Sequence, residues 1–269
     1  MRAGTSALSP KGGVLPHMER RGSYVLLDDI LRTHGLPGVP AGFANSTKLF
    51  MTPDEGATLL GTLLRHSPRV FSYVEWGQGG STELVASLIT GSHRVMPRAF
   101  RAESVESDGT WTALLRQRSP IVRRAEALGA LKLRTASYGP MRQFGHPVSA
   151  RSKAMLVDDP RVQREARRYV AAPFQSFEGV KSLDVAFVDG RFRVACALEA
   201  LKHAHAKTRV LVHDYAKSGA RAVYERVTRH YRLVSLNDSL LVLEPLAVAL
   251  SLPAAEIDAA IDSALGSSM

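Results

Sequence analysis

The chain has 269 residues, 45% hydrophobic and 22% charged, the make-up of a globular protein whose core is large enough to need no disulfide. Its single cysteine, Cys196, excludes an internal disulfide, and no apolar run approaches the roughly 18–20 residues of a membrane span. The net charge of +10 comes mostly from scattered arginines (Arg116, Arg118, Arg123 and Arg124 in one cluster, Arg161, Arg164, Arg167 and Arg168 in another), which suits an acidic substrate or a polyanion. Nucleic acid is one such partner, although no aromatic-rich RNA-binding signature accompanies the charge.

Residues 1–22 carry several Arg, Gly, Ser and Pro and no acid before Glu19. They read as a disordered tail, with an organelle transit peptide as the alternative. Residues 23–269 read as one α/β domain in the cytoplasm. After a short amphipathic piece at 24–31 and a Gly/Pro-rich link, a helix starts at Thr52-Pro53-Asp54-Glu55. Thr52 caps it, Pro53 suits the first turn, Glu55 completes a capping box, and Leu59, Leu60, Leu63 and Leu64 form its apolar stripe.

A short apolar strand follows and ends in Glu75-Trp76-Gly77-Gln78-Gly79-Gly80-Ser81-Thr82. Glycines there let a backbone approach a ligand and allow positive φ, and Ser81 or Thr82 can cap the next helix. Beyond it the chain alternates. Strands are expected at 100–106, 130–136, 184–189 and 209–212. Helices are expected at 111–128, broken near Pro120, at 191–205 and at 220–230. Strands at 231–235 and 240–243, split by Asn237-Asp238, form a terminal antiparallel pair before an Ala-rich helix at 254–265. The pattern predicts an α/β, Rossmann-like, doubly wound and mostly parallel seven-stranded sheet, with its chemistry beyond the carboxyl ends of the strands.

The unusual residues fall at those ends. Glu106 closes the second strand and presents two acceptor oxygens to a ribose; Asp108 is the second choice, or simply a helix cap. After the third strand, Tyr138 or Phe144 can stack on a base. Asp189 abruptly ends an apolar strand and can orient a hydroxyl or take its proton, while Arg191 and Arg193 can hold an anion. His213, Asp214 and Tyr215 end the fifth strand, and His213 is the residue type that serves as a base near neutral pH. Cys196 reads as a buried structural thiol, His203 and His205 as surface residues, and Glu199 as part of an ordinary helix face.

The run Glu75-x-Gly77-x-Gly79-Gly80-Ser81-Thr82 resembles the first motif of class I S-adenosylmethionine-dependent methyltransferases. With Gly139-Pro140, Gly145-x-Pro147 and Val188-Asp189-Gly190-Arg191-Phe192-Arg193, the likeness extends over residues 50–245, toward a subgroup of uncharacterised methyltransferase-like proteins. The resemblance implies S-adenosylmethionine as cofactor. Glu75, Gly77, Gly79, Gly80 and Ser81 would lie at its methionine end, Glu106 at its ribose and Tyr138 at its adenine. Asp189, His213 and Asp214 would work on the acceptor, and Arg191, Arg193 and Tyr215 would bind it. An oxygen acceptor is preferred, either a small molecule or an anionic group.

Asp189 and Asp214 also resemble the metal positions of catechol-type O-methyltransferases. Tyr215 stands where those enzymes have Asn, and no metal is assigned. Two other readings remain. One is a non-catalytic methyltransferase-like binding protein. The other is an NAD-type oxidoreductase, against which the third small residue of the dinucleotide fingerprint is replaced by Thr82.

Overall fold

The structure, a computed structural model, describes residues 25–26, 29–30, 48–65, 70–91, 99–139, 141–142, 146–147, 159–175, 182–215 and 226–266. The expected tail at 1–22, Phe144 and residues 220–225 of one expected helix lie outside them.

Seven strands form the main sheet: β1 (Val70–Trp76), β2 (Ala99–Glu106), β3 (Leu131–Thr135), β4 (Leu183–Val188), β5 (Ala204–Val212), β6 (Tyr231–Asn237) and β7 (Leu240–Pro245). Their order is β6-β7-β5-β4-β1-β2-β3. The pairs β1–β2, β1–β4, β2–β3 and β4–β5 are parallel, while β7 runs antiparallel to both β5 and β6. The sheet is Rossmann-like and mostly parallel, with the antiparallel pair at one end, as the alternation of elements predicts.

Period-two side chains split the strands between two cores. Phe71 and Tyr73 of β1, Val185 and Phe187 of β4 and Leu211 of β5 pack on one face, against α1 (Pro53–Arg65), α2 (Gly80–Gly91), α3 (Gly109–Arg118) and α4 (Pro120–Ala127). Val74 and Trp76, Ala186 and Val188, and Val210 and Val212 face the other side. That side is covered by α5 (Pro160–Ala171), α6 (Arg193–His203) and α8 (Ala254–Leu265), with the short α7 (Ala247–Leu250) beside β5. Burial on both faces explains why these strands read as nearly continuous apolar runs.

Local signals held in most places. Thr52 and Glu55 form the reciprocal capping box, Thr52 N donating to Glu55 Oε2 at 2.8 Å and Glu55 N to Thr52 Oγ1 at 3.3 Å. The break near Pro120 separates α3 from α4. Asp108 caps α3 by accepting from Thr110 N at 2.8 Å, its alternative role. Cys196 is buried, and burial pushes its thiol well above the usual range.

Several expectations need correction. Helix α2 begins at Gly80, so Ser81 and Thr82 sit in its first turn rather than before it. The helix expected to reach residue 205 stops at His203, and β5 begins at once with Ala204. His203 is stacked flat on Phe174, ring centroids 3.9 Å apart, and His205 lies 3.3 Å from Asp184; neither is a free surface residue. Glu199 is buried and paired with Arg167 at 3.2 Å and Lys202 at 3.0 Å. Helix α5 had no counterpart among the expected elements. Among the described residues no helix is long and apolar enough to cross a membrane.

The glycines around the loop differ in what they tolerate. A Cβ on Gly80 would strike the backbone carbonyl of Lys48, whereas a Cβ on Gly79 would meet nothing within 4 Å. Gly80→Ala should therefore lower stability by about 1–3 kcal/mol, and Gly79→Ala by less than about 1 kcal/mol, in urea denaturation.

Candidate functional site

The order of strands reverses between β1 and β4, and a crevice at such a point lies beyond their carboxyl ends. Backbone hydrogen bonds carry the ladder one residue past each strand. Gly77 N donates to Val105 O at 2.9 Å, Asp189 N to Trp76 O at 2.9 Å, and His213 N to Val188 O at 3.0 Å. The residues that terminate the strands are thereby held side by side.

Gly77 has φ +95°, and a Cβ on it would press on Gly190 N at 3.0 Å and the Asp189 carbonyl carbon at 3.1 Å. Gly190 is equally confined, by the Tyr169 hydroxyl and the backbone of Trp76 and Gly77. The turns after β1 and β4 thus touch backbone to backbone, which only glycine at both positions allows.

Glu75 is fully buried. It accepts hydrogen bonds from Ser81 Oγ and, at 2.9 Å, from Thr82 Oγ1; Thr82 Oγ1 in turn accepts from Gly79 N at 3.0 Å. Burial raises the Glu75 carboxyl to about 7, against the lowering effect of those hydroxyls. Glu75 and Ser81 are turned toward each other and shape the loop.

Glu106 binds both its own strand end and the loop. Its Oε1 accepts from Ser107 N at 2.6 Å, Ser107 Oγ at 2.8 Å and Asp108 N at 3.1 Å, and its Oε2 accepts from Gln78 N at 3.2 Å. Trp111 caps this corner, its indole N–H donating to Gln78 O at 2.6 Å. Tyr138 does not stand open for a stacking partner. It is 3% exposed and packs edge-on against Tyr169, with ring centroids 5.3 Å apart, and against Phe192 at 5.0 Å.

The acidic and basic residues after β4 and β5 form one chain of alternating charge. His213 is 2% exposed. Its Nδ1 lies 2.8 Å from Asp189 Oδ1, and its Nε2 lies 3.3 Å from Glu55 Oε2 on α1. Glu55 Oε1 accepts from Ser239 N at 2.8 Å and Ser239 Oγ at 2.5 Å, in the turn between β6 and β7. On the other side Arg193 Nη2 donates to Asp189 Oδ1 at 3.4 Å and to Asp214 Oδ2 at 3.2 Å, while its Nε donates to Gly190 O at 3.1 Å. Asp214 sits at φ +58°, a conformation Asp tolerates better than most residues.

This geometry bears on the expected roles of His213 and Arg193. Burial disfavours charge on His213, but hydrogen bonds from its ring to Asp189 and Glu55 outweigh that and raise it to about 10. With a carboxylate at each ring nitrogen, the arrangement favours the protonated ring, whose two N–H groups can both donate. Arg193 donates to two carboxylates and to the backbone carbonyls of Asp189 and Gly190, so it braces the turn after β4. Arg191, more deeply placed, has its basicity lowered chiefly by burial. Tyr215 is partly buried, and its backbone N–H donates to Ser239 O at 2.9 Å.

Asp189, His213 and Asp214 also offer ligand atoms within 4.8 Å of one another, the one such group among the described residues. There the charges of the two carboxylates are already met by Arg193 and His213. Glu55 was missed as a member of the site because its local capping role accounted for it; only the pairing of α1 with the end of β5 reveals the second role.

The charge pair has a two-sided pH signature. Burial opposes ionisation of Glu55, yet bonds from His213, Ser239 and Thr52 hold it at about 2, below its ordinary 4.5. Its contribution to stability is present above pH 4.5 and is lost as pH falls toward 2. The contribution of His213 is present below 6.5 and is lost as pH rises toward 10. Glu55→Gln should cost about 3–5 kcal/mol at pH 6 by urea denaturation, and the difference from wild type should shrink toward both pH extremes.

No family model matches the chain, and no curated protein matches it. Solved structures do. A methyltransferase-like protein from Silicibacter pomeroyi is 24% identical, with a TM-score of 0.56 over 81% of this chain and 96% of that one. A putative class I S-adenosylmethionine-dependent methyltransferase from Listeria monocytogenes is 13% identical, with a TM-score of 0.41 over 88% of this chain and 76% of that one. A precorrin-6Y C5,15-methyltransferase from Geobacter metallireducens is 9% identical, with a TM-score of 0.40 over 76% of this chain and 92% of that one. The first of these, joined to the strand order above, shows that the chain has the Rossmann-like fold of a methyltransferase-like protein.

Proposed function

We propose that the protein is an S-adenosylmethionine-dependent methyltransferase acting on an oxygen of a small-molecule or anionic acceptor. The observation that carries this reading is the paired glycine turn. Gly77 and Gly190 bring two strand ends into backbone contact, and Gly79 beside them leaves open space that a larger side chain would fill. Glu106 lies next to this opening, bonded to the loop through Gln78 N at 3.2 Å. A flexible ligand bearing hydroxyls and an amino acid end suits a cradle made of bare backbone and one carboxylate.

The residues fit the cofactor in these terms. Gly77, Gly79 and Gly80 would receive its methionine end, with Glu75 and Ser81 acting behind them to hold the turn. Glu106 would accept from the ribose hydroxyls, and Tyr138 with its aromatic neighbours would wall the base. When bound, S-adenosylmethionine supplies an activated methyl group on a sulfonium. The chain's own task is then to align and desolvate the acceptor. Asp189, partly exposed at the mouth, would accept a hydrogen bond from the acceptor hydroxyl. Asp214 would hold Arg193 in place, and Arg191 and Tyr215 would face the acceptor's remaining groups.

Calorimetric titration with S-adenosylmethionine and with S-adenosylhomocysteine tests this. Wild type should bind both, and Gly79→Arg and Glu106→Ala should each weaken binding about tenfold or more, equivalent to about 1.4 kcal/mol. Absence of binding by the folded wild-type protein would reject the reading and favour a non-catalytic binding protein on the same fold.

A further inference from the structure

We propose that Glu55 is a positioning residue for the site: acting through the His213 ring, it fixes the orientation of Asp189 so that one carboxylate oxygen is held internally and the other is left for a bound group. The inference rests on the cofactor site described under the proposed function, and it concerns a residue outside every motif of that site. Glu55 lies 158 positions from His213 in sequence, on the helix that precedes β1.

Three observations support it. First, His213 bridges two carboxylates from opposite sides, Asp189 at 2.8 Å and Glu55 at 3.3 Å, in a place 2% exposed. A buried imidazolium between two anions has a fixed tautomer and a fixed ring plane, because both N–H groups are spent. Second, Glu55 is itself anchored by backbone and side-chain donors from Thr52 and Ser239, so the ring is held against a rigid point. Third, Asp189 uses only Oδ1 for His213 and Arg193. Its Oδ2 makes no hydrogen bond among the described residues, and the side chain is 33% exposed.

Asp189 is also next to the glycine turn, its carbonyl carbon 3.1 Å from where a Gly77 Cβ would stand. A side-chain oxygen on that residue, left free while the other is held, would be available to a cationic or hydrogen-bond-donating group carried by a ligand on the loop. Without Glu55 the ring can tilt or lose its proton, and the carboxylate can turn to share both oxygens with Arg193.

The experiment compares two probes that share every other contact. Sinefungin carries an ammonium-bearing carbon where S-adenosylmethionine has its sulfonium methyl, and S-adenosylhomocysteine has a neutral thioether there. The ratio of their dissociation constants, by calorimetry at pH 7, isolates what that corner contributes. Wild type should prefer sinefungin. Asp189→Asn should reduce the preference about tenfold, and Glu55→Gln about threefold or more, with homocysteine-product affinity held within about twofold. Glu126→Gln, which breaks the Arg116 ion pair between α3 and α4 on the other side of the sheet order, should leave the ratio unaltered.

A ratio unchanged in Glu55→Gln but lowered in Asp189→Asn would overturn the positioning role while leaving the cofactor site standing. If folded wild type bound neither probe, the cofactor reading would fall and this inference with it. Should Glu55→Gln not fold, His213→Gln, which removes the fixed charge from between the two carboxylates, carries the same comparison and the same expected loss.

Discussion

The buried contact of Glu55, His213 and Asp189 is the constraint on which the site depends. Taking Glu55 and His213 out of water is costly, and they persist beside the partly exposed Asp189 because each is satisfied by the next. Glu55 faces His213 and the Ser239 hydroxyl and N–H; His213 faces both carboxylates; Asp189 faces His213 and Arg193. The contact ties the start of α1, the turn between β6 and β7, and the ends of β4 and β5 into one unit. Those elements come from distant parts of the chain, so a local polar cluster does the work of a long-range clasp.

The second constraint is steric. The turns after β1 and β4 meet at Gly77 and Gly190, with the Tyr169 hydroxyl of α5 against them. Tyr169 also packs with Tyr138 and Phe192, rings 5.3 and 6.2 Å away. Phe192 takes φ +56°, unusual for a bulky side chain, and its burial in this cluster is what holds it there. The aromatic group and the charge chain both adjoin the turn after β4, through Phe192 and Asp189. Between them lies the loop from Gly77 to Gly80, with Gly79 facing open space.

Much of the fold was legible in the sequence because it rests on local rules. Short apolar runs bounded by turn residues marked the strands, the Thr52–Glu55 box marked α1, and Pro120 marked the break between α3 and α4. Helix α5 was hidden because it buries only a narrow stripe, Ala166, Tyr169 and Val170, within an arginine-rich segment. The start of β5 was hidden because α6 ends at His203 and the strand begins at Ala204 with no Gly or Pro between. At the site, the strand ends were legible and the partners across space were not. Glu55 had a complete local explanation as a cap. His213 had its ordinary pKa, until two carboxylates were brought to its two nitrogens.

That difference changes the chemistry the site can perform. A histidine near its ordinary pKa exchanges protons at neutral pH, whereas one raised by two carboxylates holds its proton more tightly. Arg193 and His213 are held between carboxylates, so the charges around Asp189 stay constant as a ligand enters. Preorganised charges of this kind orient a partner and stabilise charge at no cost of rearrangement during the reaction. They suit a transfer in which the leaving group is already activated and the protein's part is alignment. A reaction that needed a strong base would be poorly served by an imidazolium and a carboxylate already accepting from two cations. The charge chain therefore sets the electrostatic surroundings of Asp189 before any ligand arrives.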